Sequence, residues 1–269
     1  MNWIYVAVAC MLLTSLASAA VHWEYPPPVM PDLPTYDCYQ AAEPPVLDGN
    51  LDDACWQGIP AIKLHRCVSG IGPTQPTSVK VIWHGDYLYF AWKVSEFDIE
   101  DHNQKRNDAV FGEACVEHFL QAPAGFPDYP TGTSRYAEFD ISPTGVIWDG
   151  RIENPYDFTK PVEHRMLMKV DPSFDPEDVK VASHLNGTVN DPSHKDYGWT
   201  MEVQIPLNGP PGGHTPTPGE VWRMNLYRIH GWNQPDRELQ SWSVVGVGNF
   251  HVPQRFGNLR FQGPLPAAK

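Results

Sequence analysis

The chain has 269 residues and a formal net charge of −13, from 32 Asp and Glu against 19 Lys and Arg. Such a surface repels nucleic acid and anionic lipid, which argues against both as partners. The length fits one large all-β domain, and the 28 Pro and 21 Gly fit short strands separated by turns.

The first 20 residues have the pattern of a secretory signal peptide. Residues 4–16 are almost wholly apolar, and the small residues Ala17-Ser18-Ala19-Ala20 follow them. The apolar run is short for a membrane span and no stop-transfer charges follow, so we expect cleavage and no membrane insertion afterwards. Because the segment before this run lacks Lys and Arg, an uncleaved anchor and a lipoprotein at Cys10 are alternatives.

The rest of the chain divides into a leader, one domain and a tail. Residues 21–37 are predicted to form an extended Pro-rich leader, residues 38–263 the domain, and residues 264–269 the tail. A cleaved signal predicts an extracellular or periplasmic location. Asn186-Gly187-Thr188 is a sequon for N-glycosylation, which applies only in a eukaryotic source.

Four cysteines follow the predicted signal peptide. In an oxidising compartment they could form two disulfides, with three connectivities, and buried free thiols are the alternative. Their spacing contains no C-x-x-C pair and so matches no zinc template. These cysteines are Cys38, Cys55, Cys67 and Cys115.

Short strands separated by turns run through the whole domain. A turn at residues 48–56 should be held against the core by Leu51 and Trp56. The clearest hairpin joins residues 79–83 to 87–94 through Gly85-Asp86. No long helical period appears, which favours a single antiparallel β-sandwich of jelly-roll or immunoglobulin-like type. Further strands are predicted around residues 116–119, 136–141, 146–148, 166–170, 179–185, 199–205 and 221–229, with a loop around residues 154–156.

An ordered set of segments across residues 38–262 resembles carbohydrate-binding module family 9. The resemblance implies a β-sandwich that is not itself catalytic and is often attached to a glycoside hydrolase. It also implies structural calcium, with ligands that the sequence does not define, and no cofactor needed for binding. The segments include Pro45-Val46-Leu47-Asp48-Gly49, Val116-Glu117-His118-Phe119, Glu138-Phe139-Asp140-Ile141, Trp222-Arg223-Met224-Asn225 and Pro253-Gln254-Arg255-Phe256-Gly257.

The resemblance places a sugar between two aromatic rings, which are Phe111 and Phe250 in this chain. Glu117 matches a residue that accepts hydrogen bonds from the sugar. The founding members carry Trp at both ring positions and a basic residue where this chain has Asp140. The smaller Phe rings imply weaker binding or a different sugar. Burial of both rings in the core is the alternative.

Three further residues complete the candidate site. Tyr227 and Asn225 share one strand face, and Trp148 precedes a polar turn. The segment from Asp48 to Asp52 lacks the Gly and Glu that an EF-hand calcium loop requires at its sixth and twelfth positions.

The sequence therefore predicts a secreted, non-catalytic protein that binds glycan chains or chain ends. It would support polysaccharide catabolism beside a separate glycoside hydrolase. One alternative is a glycoside hydrolase acting on O-glycosyl bonds, with a carboxylate pair such as Glu117 and Asp140. Another is a b-type haem electron-transfer domain on a similar sandwich, with axial ligands among Met166, Met168, Met201 and Met224.

Overall fold

The computed structural model describes residues 33–126, 131–157, 168–171, 173–231 and 237–266. The predicted signal peptide, most of the leader and the end of the tail lie outside these ranges. The described chain forms 14 β-strands and several short 3₁₀ turns. Among these residues, no helix has the length and apolarity needed to cross a membrane.

The strands range from two residues in β2 and β3 to eleven in β7 and β8. The 3₁₀ turns are Ala54–Trp56, Val110–Gly112, Pro123–Gly125 and Pro253–Arg255. The strands are β1 (Thr35–Gln40), β2 (Ile62–Lys63), β3 (His65–Arg66), β4 (Thr77–His84), β5 (Tyr87–Val94), β6 (Cys115–Gln121), β7 (Thr131–Ile141), β8 (Ile147–Asp157), β9 (Lys169–Asp171), β10 (Lys180–Leu185), β11 (Trp199–Pro206), β12 (Val221–His230), β13 (Glu238–Ser241) and β14 (Gly257–Pro264).

All the strands belong to one folded-over sheet in the order β10-β11-β5-β4-β1-β14-β12-β6-β7-β8-β9. Neighbours on this path are antiparallel except β1, which runs parallel to both β4 and β14. Apolar side chains of β4, β5 and β11 share one core with those of β6, β7 and β12. The two halves therefore pack face to face, which confirms the predicted β-sandwich.

The inner faces follow the predicted alternation. On β7, Ala137, Phe139 and Ile141 are buried in the sandwich core, while Tyr136 and Glu138 point to the opposite face. The hairpin also has the predicted register and its turn at Gly85-Asp86. Period-two alternation thus located the core side of β4, β5, β7, β11 and β12 correctly.

The second face of the hairpin is covered by the segment that precedes it. Trp56 is fully buried in a cluster with Tyr89, and Leu51 packs against that cluster. The carboxylate of Glu202 on β11 accepts hydrogen bonds from Trp56 Nε1 at 2.9 Å and from the backbone N–H of Gly49 at 3.2 Å. The predicted anchoring of this turn is confirmed.

Two predicted boundaries need correction. Strand β1 begins at Thr35 and pairs with β14, so the last three residues of the predicted leader belong to the sheet. Residues 154–156 were expected in a loop but lie within β8, where Pro155 pairs with Thr133. Among the described residues, β9 pairs with β8 from Arg151 to Glu153 and not at Pro155, and a proline, which lacks an N–H, is tolerated at such an unpaired strand position.

The four cysteines are free thiols, so the predicted disulfides are not formed. The backbone N–H of Cys67 bonds to Leu239, Leu239 pairs with Ile229, and Ile229 pairs with Cys115. Strands spaced about 4.8 Å apart therefore separate Cys67 from Cys115 by more than a disulfide can span. The alternative of buried thiols applies to Cys38, Cys67 and Cys115.

Gly49 gives a direct test of how the N-terminal turn packs. Its φ is +83°, and a Cβ there would lie 2.6 Å from the carbonyl carbon of Ser183 on β10. Gly85 in the hairpin turn also has a positive φ, +56°, but nothing lies within 4 Å of its Cβ position. We expect Gly85→Ala to lower the free energy of unfolding by about 1 kcal/mol through backbone strain alone. Gly49→Ala should lower it by about 3 kcal/mol, because β10 must also move.

Urea denaturation followed by tryptophan fluorescence measures both losses. Equal losses in the two variants would contradict the close packing of residue 49 against β10.

Candidate functional site

A cavity of about 390 Å³ opens on the outer face of the half-sheet formed by β12, β6, β7 and β8. The outer face is the side turned away from the sandwich core. Three aromatic residues, Phe111, Trp148 and Phe250, line the cavity together with Glu117 and Glu138. Residues 248–251 close one side of it. The structure therefore brings together four of the six residues that the sequence selected.

Phe111 lies on the 3₁₀ turn that directly precedes β6. Val110 beside it is fully buried and anchors the turn, whereas Phe111 is 42% exposed. The ring meets Trp148 edge to face, with 5.4 Å between centroids and an interplanar angle of 86°. This geometry is favourable for an aromatic pair and fixes one wall of the cavity.

Phe250 forms another part of the wall, and Tyr227 supports its ring on the side away from the cavity. Its ring stacks on Tyr227, with 4.1 Å between centroids and an interplanar angle of 13°. The Tyr227 hydroxyl also donates a hydrogen bond to the carbonyl oxygen of Phe250 at 2.9 Å. Phe250 is only 8% exposed. Because Tyr227 covers one face of the ring, a ligand can meet only its other face and edge.

The placement of Tyr227 and Asn225 in the cavity wall was wrong. Both side chains are fully buried, and neither is among the described residues that line the cavity. Asn225 Nδ2 donates to the Tyr227 hydroxyl at 2.9 Å and to the carbonyl oxygen of Ser243 at 3.0 Å. Strand alternation predicted their shared strand face correctly, but the loop that contains Ser243 and Phe250 covers that face. Their role is to support Phe250.

Three carboxyl side chains, from Glu117, Glu138 and Asp140, form what we call the acidic floor. Glu117 pairs with Asp140 across β6 and β7, and Glu138 lies two residues before Asp140 on the same face. One oxygen from each residue lies within 4.8 Å of the other two. All three side chains are buried. Among the described residues, both oxygens of Asp140 and Oε2 of Glu138 have no hydrogen-bond partner.

Burial changes the protonation of the acidic floor. Desolvation raises the pKa of Glu117 from 4.5 to about 8. The pKa values of Glu138 and Asp140 are also raised well above their ordinary range, by burial first and by repulsion from Glu117 second. Each ionised neighbour makes the next ionisation harder. Burial and mutual repulsion therefore let the floor retain protons at neutral pH.

Several residues at the cavity were not selected from the sequence, among them Glu138, Arg237, Asn249 and His251. Burial lowers the pKa of His251 to about 4, so its ring is neutral. Its Nδ1 lies 2.9 Å from the Tyr136 hydroxyl and 3.9 Å from Glu138 Oε2. Strand alternation could have identified Glu138, which shares a face with Asp140. His251 could have been identified from its position directly after Phe250 in the sequence.

The carboxylate pair proposed for a hydrolase, Glu117 and Asp140, lies side by side on neighbouring strands. Glycosidases place their two carboxyl groups on either side of the scissile bond, about 5 Å or more apart. Here both groups belong to the same floor, with oxygens within 4.8 Å of each other. This arrangement presents acceptors to one side of a ligand.

The three described methionines among the proposed haem ligands lie in two different parts of the sandwich. Met201 and Met224 are fully buried and fill the sandwich core. Met168 instead lines the cavity on the outer face. Met166 lies outside the described residues.

The described residues contain one group of His, Cys, Asp and Glu side chains close enough to share a metal ion, and it is the acidic floor. A calcium ion there would occupy the space expected for ligand groups. It would not stabilise a loop, which is the role of a structural calcium ion. At the other sequence candidate, Asp48 accepts a hydrogen bond from the backbone N–H of Asn50 in a tight turn. The described residues thus show no separate carboxylate cluster for the structural calcium implied by the resemblance.

Comparison with known proteins supports the fold. No protein-family model matches the chain. A protein from Arthroderma benhamiae named only as an extracellular protein is 25% identical over 214 residues, which cover 77% of this chain and 86% of that protein.

Three solved structures are similar over most of the chain. A candidate carbohydrate-binding protein from Bacteroides uniformis gives a TM-score of 0.58 at 19% identity, covering 85% of this chain and 98% of that one. A family 9 carbohydrate-binding module from Caldicellulosiruptor kristjanssonii in complex with cellotriose gives 0.52 at 15% identity, covering 88% and 97%. A module of the same description in complex with glucose gives 0.50 at 14% identity, covering 87% and 99%.

The acidic floor predicts how stability depends on pH. Glu117 has a pKa of about 8 in the folded state and an ordinary value of 4.5, so the folded protein binds more protons between these limits. Stability must therefore fall as the pH rises through this range. Between pH 6.5 and 8 we expect a loss of about 1 kcal/mol per pH unit for each retained proton. Glu117→Gln, which cannot ionise, should show a shallower decline.

Urea denaturation at several pH values measures this slope, with the exposed Glu177→Gln as the matched control. A wild-type stability that rises between pH 6.5 and 8, or equal slopes in wild type and Glu117→Gln, would contradict the protonated floor.

The geometry of the outer face and the similarity to three solved structures agree with the sequence resemblance: this chain has the fold of carbohydrate-binding module family 9.

Proposed function

We propose that this chain is an extracellular, non-catalytic protein that binds carbohydrate in the cavity lined by Phe111 and Phe250. The observation that carries the proposal is the meeting of these two rings, distant in sequence, at one cavity with buried carboxyl groups on its floor. A sugar ring has apolar C–H faces that suit aromatic walls and hydroxyl groups that need polar partners. A volume of about 390 Å³ falls within the range of small-ligand sites.

Affinity for a single sugar unit should be modest. Each aromatic contact adds about 0.5–1.5 kcal/mol beyond simple burial, by analogy with aromatic pairs. Tyr227 already covers one face of the Phe250 ring, which limits the contribution of Phe250 to the binding free energy. Polar contacts from Glu117, Glu138 and the loop at Asn249 and His251 would add the rest.

Capture of a polysaccharide for a separate enzyme fits these features. The fold is that of modules which bind sugars, and the paired carboxyl groups share one floor. The solved complexes of similar structure hold cellotriose and glucose, so glucan chains and chain ends are the first ligands to test. The N-terminal signal pattern and the name of the Arthroderma benhamiae relative support an extracellular location. A glycoside hydrolase acting nearby would be the partner, and binding needs no cofactor.

Phe111→Ala tests the aromatic wall with little risk to the fold, because Phe111 is 42% exposed. We expect about a fivefold loss of affinity, which corresponds to about 1 kcal/mol of lost ring contact. Affinity electrophoresis through gels that contain soluble polysaccharides measures it. The matched control is Phe126→Ala, since Phe126 is 41% exposed and does not line the cavity.

Phe250→Ala should abolish retention in the same gels. Circular dichroism must accompany it, because the variant also removes the partner of Tyr227. Unchanged retention of both variants, at positions 111 and 250, would reject the cavity as the sugar site.

A further inference from the structure

The acidic floor points to the chemical group that a ligand sugar must carry. We propose that the cavity accepts a sugar unit with a primary ammonium group, bound by Glu117, Glu138 and Asp140, as in the glucosamine units of a cationic polysaccharide. This inference rests on the proposed function and specifies its ligand class.

The upper limit on the spacing of the three acids is compatible with an ammonium group. An alkylammonium directs three N–H donors away from its carbon, and charged N–H···O bonds are about 2.8 Å long. Three acceptors arranged tetrahedrally at that distance lie about 4.6 Å from one another. Oxygens of Glu117, Glu138 and Asp140 all lie within 4.8 Å of one another. The floor therefore offers one acceptor to each N–H.

No ion pair among the described residues joins these three carboxyl groups to a Lys or Arg, although Arg237 also lines the cavity. Both oxygens of Asp140 and Oε2 of Glu138 are buried without a hydrogen bond. Arg228 is buried nearby in the sheet, but its guanidinium bonds to Glu96 at 2.8 Å. It belongs to the core-facing side of β12, because Tyr227, its neighbour in sequence, faces Phe250. Buried carboxyl groups that lack a counter-charge are costly, and a bound cation would relieve that cost.

The surroundings favour an organic cation over a metal ion. Calcium takes six to eight oxygen ligands around it, and magnesium takes six. Here Glu117 and Glu138 line one side of the cavity with Asp140 buried beside them, and the rings of Phe111, Trp148 and Phe250 also line it. An ammonium group needs acceptors on one side and places its carbon on the other, next to those rings. The cavity, about 390 Å³, has room for the sugar that carries it.

Position 140 agrees with this charge preference. Residue 140 is an acid, fully buried beside Glu117 and Glu138. A basic residue repels an ammonium group at that place, and Asp140 attracts one. Its neighbours Glu117 and Glu138 strengthen the attraction, since a positive charge lowers their pKa values and releases their protons.

Three oligosaccharides with the same β-1,4-linked glucose backbone isolate the ammonium group: chitosan, chitin and cellulose oligomers of equal length. They carry ammonium, acetamide and hydroxyl groups at C2. By isothermal titration calorimetry near pH 6, in about 0.15 M salt to screen surface charge, we expect the chitosan oligomer to bind at least tenfold more tightly than the others. Asp140→Asn should remove that preference, so that the variant binds the chitosan oligomer no more tightly than the cellulose oligomer.

Two further variants guard the interpretation. Glu138→Gln should act like Asp140→Asn, so a folding defect in either one leaves the test intact. Glu177→Gln changes the net charge equally at an exposed position and should retain the full preference. An equal loss in Glu177→Gln would mean that general attraction to an acidic protein explains the binding, and would overturn the inference.

The remaining outcomes separate the two proposals. Equal affinity for the three oligomers overturns the ammonium inference and leaves carbohydrate binding in place. If the protein binds none of the three oligomers and no glucan in the gels, the proposed function is overturned. Calcium or manganese binding that Asp140→Asn removes, without a chitosan preference, would make the floor a metal site and also overturn the inference.

Discussion

The cavity depends on the burial of β6 and β7 on both faces. Val116 and Phe139 pack into the sandwich core on the inner side, as expected for one half of a sandwich. On the outer side, Phe119 and Tyr136 belong to a second cluster, completed by residues of the loop between β13 and β14. If the outer face were open to water, the three acids would be solvated and their pKa values would stay in the ordinary range. The loop removes that water and creates a site with unusual electrostatics.

An aromatic cluster at the base of the loop gives the site its rigidity. The Phe119 ring stacks on Tyr136, with 5.5 Å between ring centroids. It meets Tyr227 and Phe256 edge to face, with centroid distances of 4.9 Å and 5.9 Å. Tyr227 in turn supports Phe250. A ring held by packed neighbours loses little conformational entropy when a ligand binds. The wall is thus prepared before the sugar arrives, which compensates in part for the small size of a phenyl ring.

Alternation in single strands was enough to predict the sandwich and its inner face, because core burial repeats every second residue. It could not predict that the outer face of β7, with Glu138 and Asp140, is buried too, since that burial depends on a loop more than a hundred residues away in the chain. The same loop explains why Tyr227 was placed on the correct face but in the wrong role. Strand β1 was missed because its partner β14 lies at the other end of the domain.

The acidic floor raises the question of why a buried face should keep three carboxyl groups. Well-packed apolar residues in their place would be at least as stable, since buried ionisable groups seldom add net stability. Their cost can be recovered in binding only by a ligand that interacts with the ionised form. A neutral hydroxyl bonds to a protonated or an ionised carboxyl group alike, and so gains little from three acids in contact. An ammonium group bonds only to free acceptor oxygens and draws the protons off. Selectivity between neutral and cationic sugars would then come from proton release at Glu117, Glu138 and Asp140, beneath aromatic walls that accept either sugar.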